Sequence, residues 1–162
     1  MPFEEAAALG TRRVMTEHAT AGLVVTSDGT VGELARGAYV QAEEKIIREL
    51  KQLQKPFAIV LNSAAPQADE ARQLQKALAE KYDAPVALLS AKEMTGEDAQ
   101  RVMGELLTAF PVREMRFALP EWVGALESEH YLVRHLAELA RAAGEHAGSM
   151  RASARVSQAF AG

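Results

Sequence analysis

A short, unbroken run of apolar residues limits what this chain can fold into more than any other feature does. Residues 57 to 61 read Phe-Ala-Ile-Val-Leu, and Asn62 and Ser63 follow them directly. A strand that is buried on both faces, as in a parallel sheet covered by helices, needs such a continuous apolar run. Because ligands of these sheets bind beyond the carboxyl ends of the strands, Asn62 stands where a ligand site is expected.

Helical and strand patterns alternate over the first 110 residues. Helices are predicted at 4–18, 37–54, 68–82 and 96–110, and strands at 21–26, 57–61 and 84–89. Thr95 and Asp98 have the spacing of a capping box at the start of the last helix. The alternation predicts an α/β fold, a three-layer parallel sheet with crossover helices. The strand at 21–26 is apolar on both faces and would lie at or near an edge, which suggests that strands are missing or come from a partner.

The pattern changes after residue 111. Residues 112 to 119 alternate in part between polar and apolar side chains, which predicts a short, half-exposed strand. Pro120 then opens a predicted helix that reaches about Ala143, and the Ala/Ser/Arg/Gly-rich end of the chain is expected to be loosely structured. The sequence is therefore divided into an α/β part, a strand-plus-helix part and a loose tail, at residues 1–111, 112–146 and 147–162.

Composition excludes several classes of function. The formal net charge of the 162-residue chain is −4, which gives no electrostatic argument for binding nucleic acid. The chain has no cysteine, so disulfides, thiol nucleophiles and cysteine-based metal sites are excluded. No secretory signal is recognisable, and no apolar run approaches the ~20 residues of a membrane-spanning helix. The acidic pair Glu43 and Glu44 is expected on a solvated helix face.

Asn62 begins the first of two signals that follow neighbouring strands. GTPase-like folds place the sequence Asn-Lys-x-Asp at this strand end, where it reads the nucleotide base. Here the Asn is kept, while Ser63 replaces the Lys and Ala65 replaces the Asp. Without the carboxylate, two N–H donors of guanine lack their partner, so guanine selectivity should be lost. A simpler interpretation, that Asn62 only begins a turn before Pro66, stays open.

The second signal directly follows the third predicted strand. GTPase-like folds have a Ser-Ala-Lys sequence at this place, and the main-chain N–H of its Ala contacts the base. The base side of a nucleotide site is thus assigned to five residues, Asn62, Ser63, Ser90, Ala91 and Lys92. The alternative is that the second segment is only a strand end leading into the next helix cap.

A phosphate-binding loop is not recognisable. Nucleoside triphosphatases of this class carry Gly-x-x-x-x-Gly-Lys-Ser/Thr after the first strand, because glycines let main-chain N–H groups surround the phosphates and the Lys neutralises them. They also need an Asp at a strand end for Mg²⁺. Gly10 is a single glycine within a helical pattern and does not form such a loop. Asp28 follows a strand but is interpreted as a turn residue within 27–30. We predict neither catalytic residues nor metal ligands in this chain.

Several segments form an ordered set: Gly10-Thr-Arg-Arg-Val, Gly22-Leu-Val-Val-Thr-Ser-Asp-Gly-Thr, Lys55-Pro-Phe, Leu61-Asn-Ser-Ala, Glu80-Lys-Tyr-Asp-Ala-Pro-Val and Leu119-Pro-Glu-Trp-Val. In order and spacing they resemble the stage IV sporulation protein A family, the spore coat morphogenetic ATPases of endospore-forming bacteria, over about residues 2 to 143. The resemblance implies a GTPase-like fold that has switched to ATP, with ATP and Mg²⁺ as cofactors. Ala65 in place of the guanine-reading Asp agrees with this.

The resemblance also implies what the family does. ATP hydrolysis drives self-assembly into the basement layer of the spore coat, on the outer surface of the forespore. The expected partners are further copies, other spore coat proteins and, indirectly, the forespore membrane surface, and the expected location is the mother-cell cytoplasm. No catalytic residue transfers to this chain, because the family's phosphate loop, threonine sensor and Mg²⁺-binding Asp lie before the first matched segment.

We therefore expect residues 1–111 to be the second half of a GTPase-like ATPase domain, an incomplete P-loop NTPase fold. The chain by itself is expected not to hydrolyse ATP. Two alternatives stay open. One is a nucleotide-free interaction module that docks to full-length or complementary subunits, and the other is an ordinary GTPase, which Ala65 disfavours.

Overall fold

A computed structural model describes residues 13–146 and 148–151. The chain divides into two compact units between Ala109 and Phe110. Residues 13 to 17 are helical and residue 18 is in a turn, while residues 4–12 of the predicted 4–18 helix and most of the 147–162 tail lie outside the described residues. Within the described ranges, no helix is both long and apolar enough to cross a membrane.

The first unit is a three-stranded parallel sheet with helices on both faces, which confirms the predicted α/β fold. Its strands are β1 (Gly22–Ser27), β2 (Phe57–Asn62) and β3 (Val86–Leu89), in the order β1-β2-β3. Its helices are α1 (Gly37–Gln52), α2 (Asp69–Tyr82) and α3 (Gly96–Thr108). The capping box is also confirmed, because Thr95 and Asp98 each accept the other's main-chain N–H.

Strand β2 is buried on both faces, as its apolar run predicted. Ile59 and Leu61 are fully buried on one side, and Ala58 and Val60 are buried on the other. The first side packs against α1 and α2 in a cluster that includes Val24, Ile47, Leu50, Ile59, Leu61, Leu78 and Tyr82. The opposite side packs against α3 through Val60, Ala87, Leu89 and Val102. Burial on both sides therefore fixes β2 as the central strand.

The outer edge of β3 is closed by side chains. Gln75 of α2 donates its amide N–H to the carbonyl oxygen of Val86 at 2.7 Å. Arg101 of α3 donates to the carbonyl oxygen of Leu88 at 3.3 Å. These carbonyls point away from β2, so a further strand would have to displace both side chains. Side-chain closure of this kind protects an edge strand from pairing with another chain.

The outer edge of β1 is open by comparison. Gly22 and Asp28, at the ends of β1, both donate main-chain N–H groups to the β2 segment. Because alternate residues of a strand point their main-chain groups in opposite directions, those of Leu23 and Val25 face outward. Among the described residues, no group forms a hydrogen bond with these outward-facing main-chain groups of Leu23 and Val25. Their side chains are 47% and 65% exposed, since α3 lies over β2 and β3.

The prediction for residues 112–119 is wrong: residues 111–120 form no strand. A strand needs a neighbour to pair with, and partial alternation cannot supply one. Charged residues instead pair locally, as Arg116 does with Glu114 at 2.7 Å. Phe117 and Leu119 are about half exposed.

The predicted helix from Pro120 to about Ala143 is also interrupted. A short 3₁₀ helix, Glu121–Ala125, is followed by a turn, and helix α4 (Tyr131–His146) begins only after it. The N–H of Leu132 donates to the ring Nδ1 of His130 at 3.2 Å. This bond satisfies one of the free N–H groups at the start of α4, so the helix begins there rather than at Pro120.

Glu43 is buried, with 4% of its surface exposed, so the prediction of a solvated face is wrong for this residue. Arg36 contacts its carboxylate through two nitrogens at 2.7 and 2.9 Å, and the Tyr82 hydroxyl donates to it at 2.7 Å. Arg36 also donates to Thr26 Oγ1 at 2.9 Å. Burial alone would raise the pKa of Glu43, but hydrogen bonds from Arg36, Thr26 and Tyr82 outweigh it and lower the pKa.

Replacing Glu43 with Gln should lower the free energy of unfolding by about 3 kcal/mol, because Arg36 loses a buried counter-charge. Since the pKa of Glu43 is lowered, its contribution is present above about pH 4.3 and is lost as the pH falls through the folded value. Urea denaturation at pH 7 and at acid pH should therefore show a difference that shrinks on acidification.

The matched control is Glu44→Gln, which removes the partner of an exposed Lys81 pair. This variant should lower the free energy of unfolding by less than about 1 kcal/mol. Equal decreases in the free energy of unfolding for the two variants would contradict the buried ion pair of Glu43. So would a decrease for Glu43→Gln that does not depend on pH.

Candidate functional site

The carboxyl ends of the three strands lie side by side at one edge of the sheet. Ser27 is paired in register with Asn62, and Asn62 with Leu89. The segments that follow the strands, residues 28–30, 62–65 and 90–92, are therefore neighbours although they are far apart in the sequence. This edge is where parallel α/β sheets bind their ligands.

Asn62 joins the two segments that the sequence assigned to a nucleotide base. Its side-chain oxygen accepts the main-chain N–H of Ala91 at 2.8 Å. With its oxygen committed, the side chain keeps its amide N–H groups as donors. The N–H of Ala91, which the resemblance assigned to the base, is donated within the protein here.

The other predicted base-side residues differ in accessibility. Ser63 is fully buried, and its hydroxyl oxygen accepts the N–H of Ala65 at 3.0 Å. Ser90 is half-buried, and Ala91 and Lys92 are exposed. Lys92 has no ion pair or hydrogen bond within the part of the chain that the structure describes. The geometry therefore leaves Asn62 and the 90–92 segment facing solvent, while Ser63 holds the turn from inside.

Asp28 and Thr30 connect the β1 end to the same edge. One oxygen of the Asp28 carboxylate accepts both the N–H of Thr30 at 2.9 Å and its hydroxyl at 2.6 Å. The Thr30 oxygen in turn accepts the N–H of Ala64 at 2.8 Å. Partial burial alone would raise the pKa of Asp28, but hydrogen bonds from Ser63 and Thr30 outweigh it and lower the pKa. Asp28 is therefore an ionised carboxylate at neutral pH.

Sequence reasoning identified Asp28 as a turn residue but missed its cross-strand bonds. The turn is present: Gly29 has a φ of +89°, and a Cβ there would lie 2.6 Å from the main-chain N of Arg36. An Asp two residues before a Thr is typical of a local Asx turn. No comparable signal in a single sequence points to Ala64, because that contact depends on the strand register.

The described residues do not fit a Mg²⁺ site. Within them, no group of three His, Asp or Glu side chains converges to hold a metal ion. Asp28, the carboxylate at the sheet edge, already accepts two hydrogen bonds from Thr30. The cleft of about 440 Å³ between α2 and α3 carries mixed charge, and Arg101 there pairs with Asp98 at 2.8 Å.

A parallel sheet with linked polar loops at one edge defines an α/β domain of the ligand-binding class. A protein-family model described as stage IV sporulation protein A, ATPase domain, matches residues 1–111. The chain belongs to this family.

Individual relatives agree with the family match. The chain is 46% identical over 132 residues to stage IV sporulation protein A of Bacillus subtilis (strain 168) and to that of Clostridioides difficile (strain 630). It is 43% identical to the Bacillus anthracis protein over the same length. Each alignment covers 82% of this chain and 27% of the relative, so the chain spans about a quarter of these relatives. No solved structure gives a significant match.

Replacing Asn62 with Ala should expose the N–H of Ala91 to solvent, because its acceptor is removed. Amide hydrogen exchange at Ala91, followed by NMR, should become about tenfold faster. The amide of Ala87, inside β3, should keep its rate. The control Gln73→Ala changes an exposed residue of α2 and should alter neither rate. An unchanged rate at Ala91 in Asn62→Ala would contradict the bond.

Proposed function

We propose that the chain supplies the base side of an ATP site in a spore coat assembly ATPase. The observation that carries the proposal is the Asn62–Ala91 bond, which joins the two predicted base-side segments at the sheet edge. Membership in an ATPase-domain family supports nucleotide use. In this proposal Asn62 and the Ser90–Lys92 segment face the base, and Ser63 keeps the turn in place.

The segment after Asn62 carries no group that would select guanine over adenine. The segment after Asn62 continues with Ser63, Ala64 and Ala65, none of which carries a carboxylate for the N–H donors of guanine. The amide N–H groups of Asn62 can donate to a ring nitrogen that both purines have. The site therefore gives a general purine contact without the group that would select guanine.

The wider role extends this proposal from the family. ATP hydrolysis with Mg²⁺ would drive self-assembly of the complete protein, together with other coat proteins, at the forespore surface in the mother-cell cytoplasm. The groups that bind the phosphates and the Mg²⁺ would come from parts of the complete protein other than the residues described. The chain by itself would bind the base weakly and would not hydrolyse ATP.

Phosphate release by the purified 162-residue chain with ATP and Mg²⁺ should therefore stay at the no-protein background. The sequence has no recognisable phosphate-binding loop, and phosphate contacts normally supply much of the affinity for a nucleotide. A colorimetric phosphate assay makes the measurement, and the complete Bacillus subtilis relative is the comparison protein. Turnover by the chain that persists through repurification would contradict the proposal.

A second candidate is a nucleotide-free interaction module, and the open edge of β1 favours it. The β3 edge is closed by Gln75 and Arg101, whereas Leu23 and Val25 have exposed side chains, and their main-chain groups have no partner among residues 13–146 and 148–151. Such an edge can accept a strand from another polypeptide. In this candidate function, the chain docks to a complementary subunit or fragment.

Mixing the chain with a fragment of the Bacillus subtilis relative that carries a phosphate loop tests this candidate. Size-exclusion chromatography should show a complex, and ATP hydrolysis should return. Val25→Lys should prevent both, because a charged side chain disfavours strand addition. Leu107→Lys, at a residue of α3 that is 54% exposed, is the control and should have no effect. No complex, or equal behaviour of the two variants, would exclude the module.

A further inference from the structure

We infer that Thr30 is a positioning residue that couples the end of β1 to both base-side segments. The inference rests on the proposed function, because it assigns Thr30 a part in holding the base-binding geometry. Thr30 lies on a different strand end from Asn62 and Ala91, and its hydroxyl oxygen forms one of the links between that end and the Asn62 segment, through the N–H of Ala64.

The Thr30 hydroxyl has a fixed direction. A hydroxyl has one proton, and this proton is donated to the Asp28 carboxylate at 2.6 Å. The oxygen lone pairs are then left for the N–H of Ala64, at 2.8 Å. Because Asp28 is ionised, the donated bond is a strong one, and Thr30 presents an acceptor rather than a donor to Ala64.

The bond to Ala64 acts on the turn that carries Asn62. The carbonyl of Asn62 accepts the N–H of Asp28 at 3.2 Å, and its side chain accepts the N–H of Ala91. The next residue, Ser63, is buried, and its hydroxyl oxygen accepts the N–H of Ala65. Main-chain and side-chain bonds thus connect all three strand ends in sequence, and Thr30 closes the connection at Ala64.

Packing alone does not account for a threonine at this position. Thr30 is exposed, so a side chain of the same shape without a hydroxyl would fit. The local turn has its own bond, from the N–H of Thr30 to Asp28. What the hydroxyl adds is its own bond to Asp28 and the bond to Ala64, both of which the variant Thr30→Val removes and Thr30→Ser retains.

Amide hydrogen exchange on the intact chain tests the coupling. In Thr30→Val, exchange should become about tenfold faster at Ala64 and about fivefold faster at Ala91, although Thr30 does not contact Ala91. Thr30→Ser should stay within about twofold of the unmodified chain at both amides, and Val60 in β2 reports whether the fold is kept. Thr108→Val, which removes a hydroxyl bond within α3, is the control and should change none of these rates. An unchanged rate at Ala91 in Thr30→Val would overturn the inference.

Adenosine, which carries no phosphate, tests the link to base binding. NMR titration should shift the amides of Asn62, Ala91 and Lys92, and Thr30→Val should weaken the affinity about fivefold while Thr30→Ser preserves it. Adenosine binding that does not depend on Thr30 would overturn the positioning role and leave the proposed function standing. No shifts with the unmodified chain would overturn the proposed base-side function itself, whereas the exchange rates would still show whether Thr30 couples the strand ends.

Discussion

Burial of β2 on both faces is the constraint from which the rest of the first unit follows. Its side chains are too apolar to face water on either side, so helices must cover both. The connections between the parallel strands supply α1 and α2 on one face, and α3, which follows β3, covers the other. The same parallel arrangement aligns the three carboxyl ends, which is why polar segments separated by some thirty residues share one edge.

The two edges of the sheet differ within the described residues, because one is closed by side chains and the other is open. Gln75 and Arg101 occupy the outward carbonyls of β3, so the sheet ends there. At β1, apolar side chains are exposed and the outward main-chain groups have no partner in the part of the chain that the structure describes, which is costly unless another segment covers them.

Much of the α/β unit could be predicted because its signals are local. The apolar run of β2, the alternation of elements and the Thr95 capping box each depend on neighbouring residues, and each was confirmed. Errors arose where a long-range partner decided the outcome. The 112–119 segment lacked a neighbouring strand, and Glu43 is buried because Arg36 and Tyr82 neutralise and bind its carboxylate.

The sequence by itself determined the fold class and the family, and it predicted the positions of the two base-side segments, since these depend on composition, periodicity and ordered motifs. Only the tertiary structure decided how those segments are joined. The Asn62–Ala91 and Thr30–Ala64 bonds connect residues 29 and 34 positions apart. Such pairs meet only through the register of parallel strands, which side-chain pattern along one chain does not specify.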